Sequence, residues 1–389
     1  MKNSSRIYGF DALRATAMWL GVILHTVIFF KQKPENSWPH DTQLYSSALE
    51  FIYEFIHSFR MPLFFLVAGY FAALVCDRKG LTAFLRQRAG RILVPFLVGV
   101  IVLVPLTLLP FHFFRIYYTE HTPLQEAIQR SLKQMLSWNG LAHLWFLYYL
   151  LIFYIFSAIL FRINKKIKLK VPAFIARPAS ILLLSVAVLY AIRYTFKFDH
   201  LPTYTGYKIP AGLFILYSFF YFSGWVLYNL RFDFSLLSRW SFPLLLVAII
   251  SSTVLFIIIP DIPSSLYYLL IVVQCLSTMY ACIALFLRYF NKDSAFWRYF
   301  SDSSYWVYLL HLGVATFIQV LLHPLAMNPW IKMTVVFLVT FIVCLLSYQY
   351  LVSNTFIGKA LNGKKIQRSG PFIRFFPVRK QKPERAVPD

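Results

Sequence analysis

Ten blocks of apolar residues dominate the chain, at about 10–30, 50–75, 92–114, 141–161, 179–194, 210–230, 240–259, 264–287, 304–323 and 330–356. Crossing a bilayer as helix takes roughly 20 residues, and the blocks come close to or exceed that length. The pattern predicts an all-α, polytopic transmembrane helical bundle of about ten spans. The first block is too long for the apolar core of a cleavable signal and carries charge within it, so it reads as a retained span. The segment from Tyr45 to Val75 is overlong, and Pro62 inside it predicts a kink. Residues 1–360 form a single membrane domain in this reading. Residues 361–389, where Pro371, Pro377 and Pro383 stand among many charges, read as a disordered basic tail suited to resting on anionic membrane lipids.

Composition agrees with the pattern and removes the soluble alternative. Hydrophobic residues make up 59% of the 389 and charged residues 14%, against roughly 45–50% and 25% in soluble domains. The aromatic content, 40 Phe, 25 Tyr and 9 Trp, suits packed spans and interfacial belts. A net charge of +23 raises the question of nucleic acid until its distribution is considered. With the N-terminus in the cytoplasm, 27 of the 38 Lys and Arg fall on the inside, 9 outside, and only Arg14 and Arg60 within spans. The positive-inside rule then accounts for the charge without nucleic acid, and puts both termini in the cytoplasm. The four cysteines lack metal-ligand spacing and read as packing residues, and no metal site is expected. No internal repeat is visible, which weighs against an inverted-repeat transporter.

Charge inside the hydrocarbon is costly, so each ionisable residue in a span needs a reason. His25 lies eleven positions after Arg14; at 100° per residue they share one face of the first span, roughly 16 Å apart along its axis. Asp11, three residues before Arg14, can pair with it. The second span carries Glu54, His57 and Arg60 at three-residue steps, with His57 near the depth of His25. They form either a structural ion cluster or a polar cavity in which an imidazole serves as general base and a guanidinium steadies an oxyanion. Arg88 and Arg91 sit on the cytoplasmic side before the third span, where topology alone favours basic residues and where two guanidiniums can also grip phosphate. His143 and Trp145 open the fourth span; Tyr305 leads to His311 in the middle of the ninth.

Taken together, Arg14-x10-His25, Arg88-x-x-Arg91, the stretch Phe55-Ile56-His57-Ser58-Phe59-Arg60-Met61-Pro62, the stretch His143-Leu144-Trp145-Phe146-Leu147 and Ser304-Tyr305…His311 resemble the acyltransferase-3 family of integral membrane acyltransferases. The resemblance runs from Phe10 to about Ser353, most specifically in the first two spans. It implies a bacterial inner-membrane O-acyltransferase that moves an acyl group from cytoplasmic acyl-CoA (succinyl-CoA or acetyl-CoA) to hydroxyls of a periplasmic glucan or other glycan acceptor. Under it, His25, Glu54, His57 and Arg60 are the expected catalytic set. Arg14, Arg88, Arg91, Trp145, Tyr305 and His311 are expected on the donor, and His143 on the acceptor. A proton-coupled transporter built on His25, His57 and His311, and a scaffold for a glucan synthase partner, are the competing readings.

Overall fold

The computed structural model describes residues 7–32, 38–41, 44–137, 140–167, 177–258 and 262–362. The predicted tail lies outside them, apart from residues 361–362. Among the described residues every regular element is helical. The chain runs through α1 (Tyr8–Val27), α2 (Ser47–Arg88), α3 (Val94–Val98), α4 (Val104–Phe113), α5 (Leu124–Gln134) and α6 (Trp145–Ile167). It continues through α7 (Pro178–Phe196), α8 (Ala211–Asn229), α9 (Ser241–Ile258) and α10 (Ser264–Tyr289). The last elements are α11 (Ala295–Leu322), α12 (Pro329–Ser347) and α13 (Phe356–Asn362).

Among the described residues, nine helical runs are long and apolar enough to cross a membrane. One of them, Ser47–Thr119, has 73 residues, about 110 Å if straight, far more than the ~30 Å of a hydrocarbon core. It breaks at Gly80, whose φ of +78° and ψ of 168° suit a residue without Cβ. Near the start of the run Glu54 pairs with Lys31. Near its end Phe114 packs on Phe29 and His323. Both ends of the run therefore lie at one face of the bundle. It crosses twice, and the nine runs give ten crossings.

The break thus falls at Gly80 and not at Pro62, which keeps helical dihedrals inside α2. Past Gly80, the turns of Ala89–Leu93 and Gly99–Leu103 widen to π geometry, just ahead of Pro95 and Pro105. A proline ring crowds the carbonyl four residues back and donates no hydrogen bond, so a wider turn relieves both strains. Arg91 sits inside the first of these turns. The segment 115–140, between two apolar blocks, holds the surface helix α5, clasped by Arg130 to Glu120 at 2.8 Å and by Arg115 to Gln134 at 2.7 Å.

Helix α1 runs through the interior, flanked by α2, α10, α11 and α12. Its N-terminal Gly9 amide donates to Asn291 Oδ1 at 3.0 Å, while its other end is held by Gln319 of α11, whose Nε2 donates to the His25 carbonyl at 2.8 Å. Leu361 of α13 lines one cavity with Arg14 and Arg88, so the first and last described helices end at the same face. A cluster of aromatic rings centred on Phe65, with Phe146 and Tyr217 both at 4.9 Å and Phe153 at 5.6 Å, ties α2 to α6 and α8.

Helices α2 and α8 approach closely because each offers a glycine to the other's backbone. A Cβ on Gly69 would strike the Tyr221 carbonyl, and one on Gly224 the Leu66 carbonyl and Tyr70 amide. Lipid gives no hydrophobic push between helices, so such close packing carries much of the association. Gly224→Val should destabilise the protein by about 2 kcal/mol or more. Thermal melting in detergent checks it; an unchanged midpoint refutes the tight crossing.

Candidate functional site

Two cavities adjoin inside the bundle, one basic and one lined by imidazoles. The basic cavity, about 210 Å³, is bordered by Arg14 of α1, Arg88 at the end of α2, Arg91 in the π turn, Tyr154 of α6 and Tyr305 of α11. Arg14 lies 3.6 Å from Asp11, the pairing that the three-residue spacing predicts. The Arg88 guanidinium lies over the rings of Phe84 and Tyr154 at 5.4 and 5.0 Å, and its Nε is buried without a hydrogen-bond partner. The Tyr305 hydroxyl is buried and unpartnered too. Rings hold the guanidinium in place and leave its N–H groups unspent, which suits an anionic ligand.

The second cavity, about 220 Å³, is bordered by His25 of α1, His57 and Arg60 of α2, His143 and Trp145 at the start of α6, and His311 of α11. The His311 ring stands between those of His25 and His143, with centroids 5.3 and 5.7 Å away. Backbone carbonyls fix the protons on three of the four imidazoles. His311 Nδ1 lies 3.0 and 2.9 Å from the carbonyls of Val307 and Tyr308. His143 Nε2 is 3.2 Å from that of Leu309, and His57 Nε2 2.7 Å from that of Leu201. A carbonyl only accepts, so each facing nitrogen carries a hydrogen. The opposite nitrogens, His311 Nε2 and His143 Nδ1, are buried without partners. His25 Nδ1 is buried and unpartnered as well, and no backbone carbonyl fixes its ring. Arg60 Nε has no partner either. Among the described residues no group of three His, Cys, Asp or Glu side chains is arranged to hold a metal ion.

Met18, Phe64, Phe146 and Tyr308 border both cavities. On α1 the order Arg14, Met18, His25 follows helical spacing along one face, so the seam expected from sequence is a cationic cavity, a thin apolar wall and an imidazole cavity in line. Of the residues expected in the site, Glu54 alone borders neither. It faces away from His25, its carboxylate 2.7 Å from Lys31 Nζ, because the three-residue steps of a helix carry it progressively off the face that His57 and Arg60 share.

Three further features escaped the sequence reading. Trp38 stacks on His25, centroids 5.3 Å apart and planes at 9°, and also borders the imidazole cavity. Its segment is pinned by Asp41, whose carboxylate accepts from Lys332 Nζ of α12 at 3.1 Å, with Lys332 only 1% exposed. His323, one residue past the end of α11, lies 3.8 Å from the same carboxylate; burial outweighs the pull of Asp41 and lowers its pKa. Gly21 is the third: a Cβ there would collide with the Arg60 guanidinium, so the absent side chain makes its berth. Only the polar residues in a loop and in a span offered any signal, and their partners lie almost 300 residues apart.

Comparison with known proteins adds to this geometry. A family profile described as an acyltransferase domain matches residues 7–349. Glucans biosynthesis protein C of Salmonella paratyphi B is 30% identical over 190 residues, 48% of this chain and 46% of the relative. The protein of the same name from Salmonella heidelberg is 32% identical over 151 residues, 38% of this chain and 37% of the relative. The matched stretch thus spans under half the length of these relatives. No solved structure matches the chain.

The clamp on the Trp38 segment can be tested by charge removal. Lys332→Met strands a buried carboxylate and should cost about 3–5 kcal/mol, whereas Asp41→Asn combined with Lys332→Met should recover much of that loss. Melting of the two variants decides; equal destabilisation by both means that the pair does not hold the segment.

Proposed function

Since the chain belongs to the acyltransferase-3 family of integral membrane proteins, we propose that it is an O-acyltransferase that draws on acyl-CoA at the face of Arg88 and Arg91 and acylates a glycan hydroxyl from the opposite face. The observation that carries this reading is the common wall of Met18, Phe64, Phe146 and Tyr308 between a cationic cavity and an imidazole cavity. A carrier anchored by its phosphates needs only to pass its thioester across that wall. The Lys/Arg bias supports a cytoplasmic location for the Arg88 face, and a bacterial inner membrane suits both substrates.

In the proposed reaction Arg88 and Arg91 hold the donor's phosphates, Arg14 extends the cationic path, and Tyr305 and Trp145 line the way of the pantetheine arm. His25 removes the proton of the acceptor hydroxyl as its oxygen attacks the thioester carbonyl. The new C–O bond forms, the C–S bond breaks, and the proton passes from the imidazole to the departing thiolate, giving ester and free CoA thiol. His57, His143 and His311 surround the transferred proton, His143 on the acceptor side. Glu54 keeps a positioning role only, through Lys31 beside His57. Arg60 supplies an unspent guanidinium within the cavity, which favours a donor with a free carboxylate. On that ground the acyl group is proposed to be succinyl, and the acceptor a glucan, in line with the names of the Salmonella relatives.

His25→Ala should reduce acyl transfer by about 10²–10⁴-fold at normal membrane insertion. Mass spectrometry of periplasmic glycans, alongside CoA thiol release in vitro, reads the effect, and wild-type rates would overturn the assignment. Arg60→Gln should lower kcat/KM for succinyl-CoA far more than for acetyl-CoA, since stranding a buried charge costs about 2–5 kcal/mol. An equal loss with both donors assigns Arg60 to the oxyanion.

A further inference from the structure

A third cavity, about 300 Å³, lies on the other side of α2 and is larger than either of the two already described. It is walled by α2, the end of α7 and the segment after it, α9 and α10, and His57 borders both it and the imidazole cavity. We propose that this cavity is the acceptor subsite, a pocket for one neutral hydroxylated sugar ring of the glycan, which is thereby held beside His57 with a hydroxyl directed at His25. The proposal rests on the acyltransferase reading for what happens to that hydroxyl, but the sugar site stands on its own geometry.

The charges of the lining exclude a simple anion site. Two cations, Lys31 and Arg193, are set against two carboxylates, Glu54 and Asp199, and Lys31 and Glu54 already neutralise each other. What remains is hydrogen-bonding capacity. Arg193 is 1% exposed; its Nη1 donates to the carbonyls of Phe198 and His200 at 3.1 and 3.4 Å, while its Nε is buried with no partner. Tyr268 donates to Asp199 Oδ1 at 2.8 Å and Tyr267 to the Asp199 carbonyl at 3.0 Å, which fixes the carboxylate as a rigid acceptor. Gln274 donates to Ser252 at 2.8 Å from the α10 side. A polyol matches such a lining, because each hydroxyl both donates and accepts.

The apolar part of the wall fits the same ligand. Phe51 and Phe256 stand edge to face at 5.4 Å and border the cavity with Phe55 and Tyr267, giving flat ring surfaces for the C–H faces of a pyranose. The cavity also lies toward the Glu54 end of α2, at the opposite face from Arg88 and Arg91, where the donor is excluded. A glycan that enters there reaches the imidazole cavity, and with it His25 and His143, past His57, the shared border.

The test is direct binding, with no donor and no turnover. Neutral glucohexaoses of α and β linkage are titrated into the full-length protein in detergent by calorimetry, for the wild type and for Gln274→Leu and Phe256→Ala. Wild-type binding, weakened at least tenfold in each variant, is the expected result. CoA binding at the far face reports folding; should Gln274→Leu lose CoA as well, it has unfolded and Phe256→Ala decides alone. No binding of any hexaose to the wild type, or wild-type affinity in the folded variants, overturns the proposal. Sugar binding here, together with no CoA thiol release in the separate transfer assay, would instead sink the acyltransferase reading and leave the sugar site in place.

Discussion

A helix that carries Arg14 and His25 on one face cannot lie against lipid, and this single constraint organises the bundle. Hydrocarbon offers no hydrogen bonds, so the polar face of α1 has to be enclosed by protein or by a protein-lined cavity. The enclosure comes from α2, α10, α11 and α12, and each brings polar groups of its own. Helix α11 contributes His311 and the Gln319 amide that caps the His25 carbonyl; α2 contributes His57 and Arg60; α12 contributes the lysine that pins the Trp38 segment. The helices farther out, such as α9, carry few such groups and expose broad apolar faces. Polarity concentrates around α1 and apolar surface lies outside it, the reverse of a soluble domain.

Much of this was legible in the chain. Hydropathy gave ten crossings, because the block length is set by bilayer thickness and survives any detail of packing. The face shared by Arg14 and His25 was readable because helical geometry is local and regular. The reversal of the chain at Gly80 was not foreseen: Pro62 keeps helical dihedrals, whereas Gly80 takes a positive φ that no other residue adopts cheaply. Glu54 continues the three-residue spacing of His57 and Arg60, but each step turns the side chain by 300° and leaves its carboxylate on Lys31, outside the imidazole cavity. The partners of Asp41 and the berth that Gly21 leaves for Arg60 depend on contacts between distant segments, and no local pattern encodes them.

The thin wall between the first two cavities carries a physical consequence for the chemistry. Met18, Phe64 and Phe146 are apolar, and Tyr308 spends its hydroxyl on the His143 carbonyl at 2.6 Å, so the border between the cavities offers little to hold water. A thioester that crossed this wall would leave the hydrated side and enter a space where a guanidinium and unpartnered ring nitrogens are already in place, with little reorganisation left to make. The same border sets Arg14, Arg88 and Arg91 apart from the imidazoles. Without it, two guanidiniums beside His25 would disfavour any proton that the ring needs to collect during the reaction.

The tautomers single out one imidazole among four. His57, His143 and His311 each spend one N–H on a backbone carbonyl, so a proton gained at the other nitrogen can leave only from that nitrogen, or at the cost of a broken backbone bond. Such rings can hold charge or accept a hydrogen bond, but they return a proton to the side from which it came. His25 has no such carbonyl. Its Nδ1 is unpartnered, Trp38 fixes only the plane of its ring, and either nitrogen is therefore free to take or release a proton. A base that takes a proton at one nitrogen and releases one from the other can use that freedom. Of the four histidines, His25 is the one that the backbone leaves unassigned.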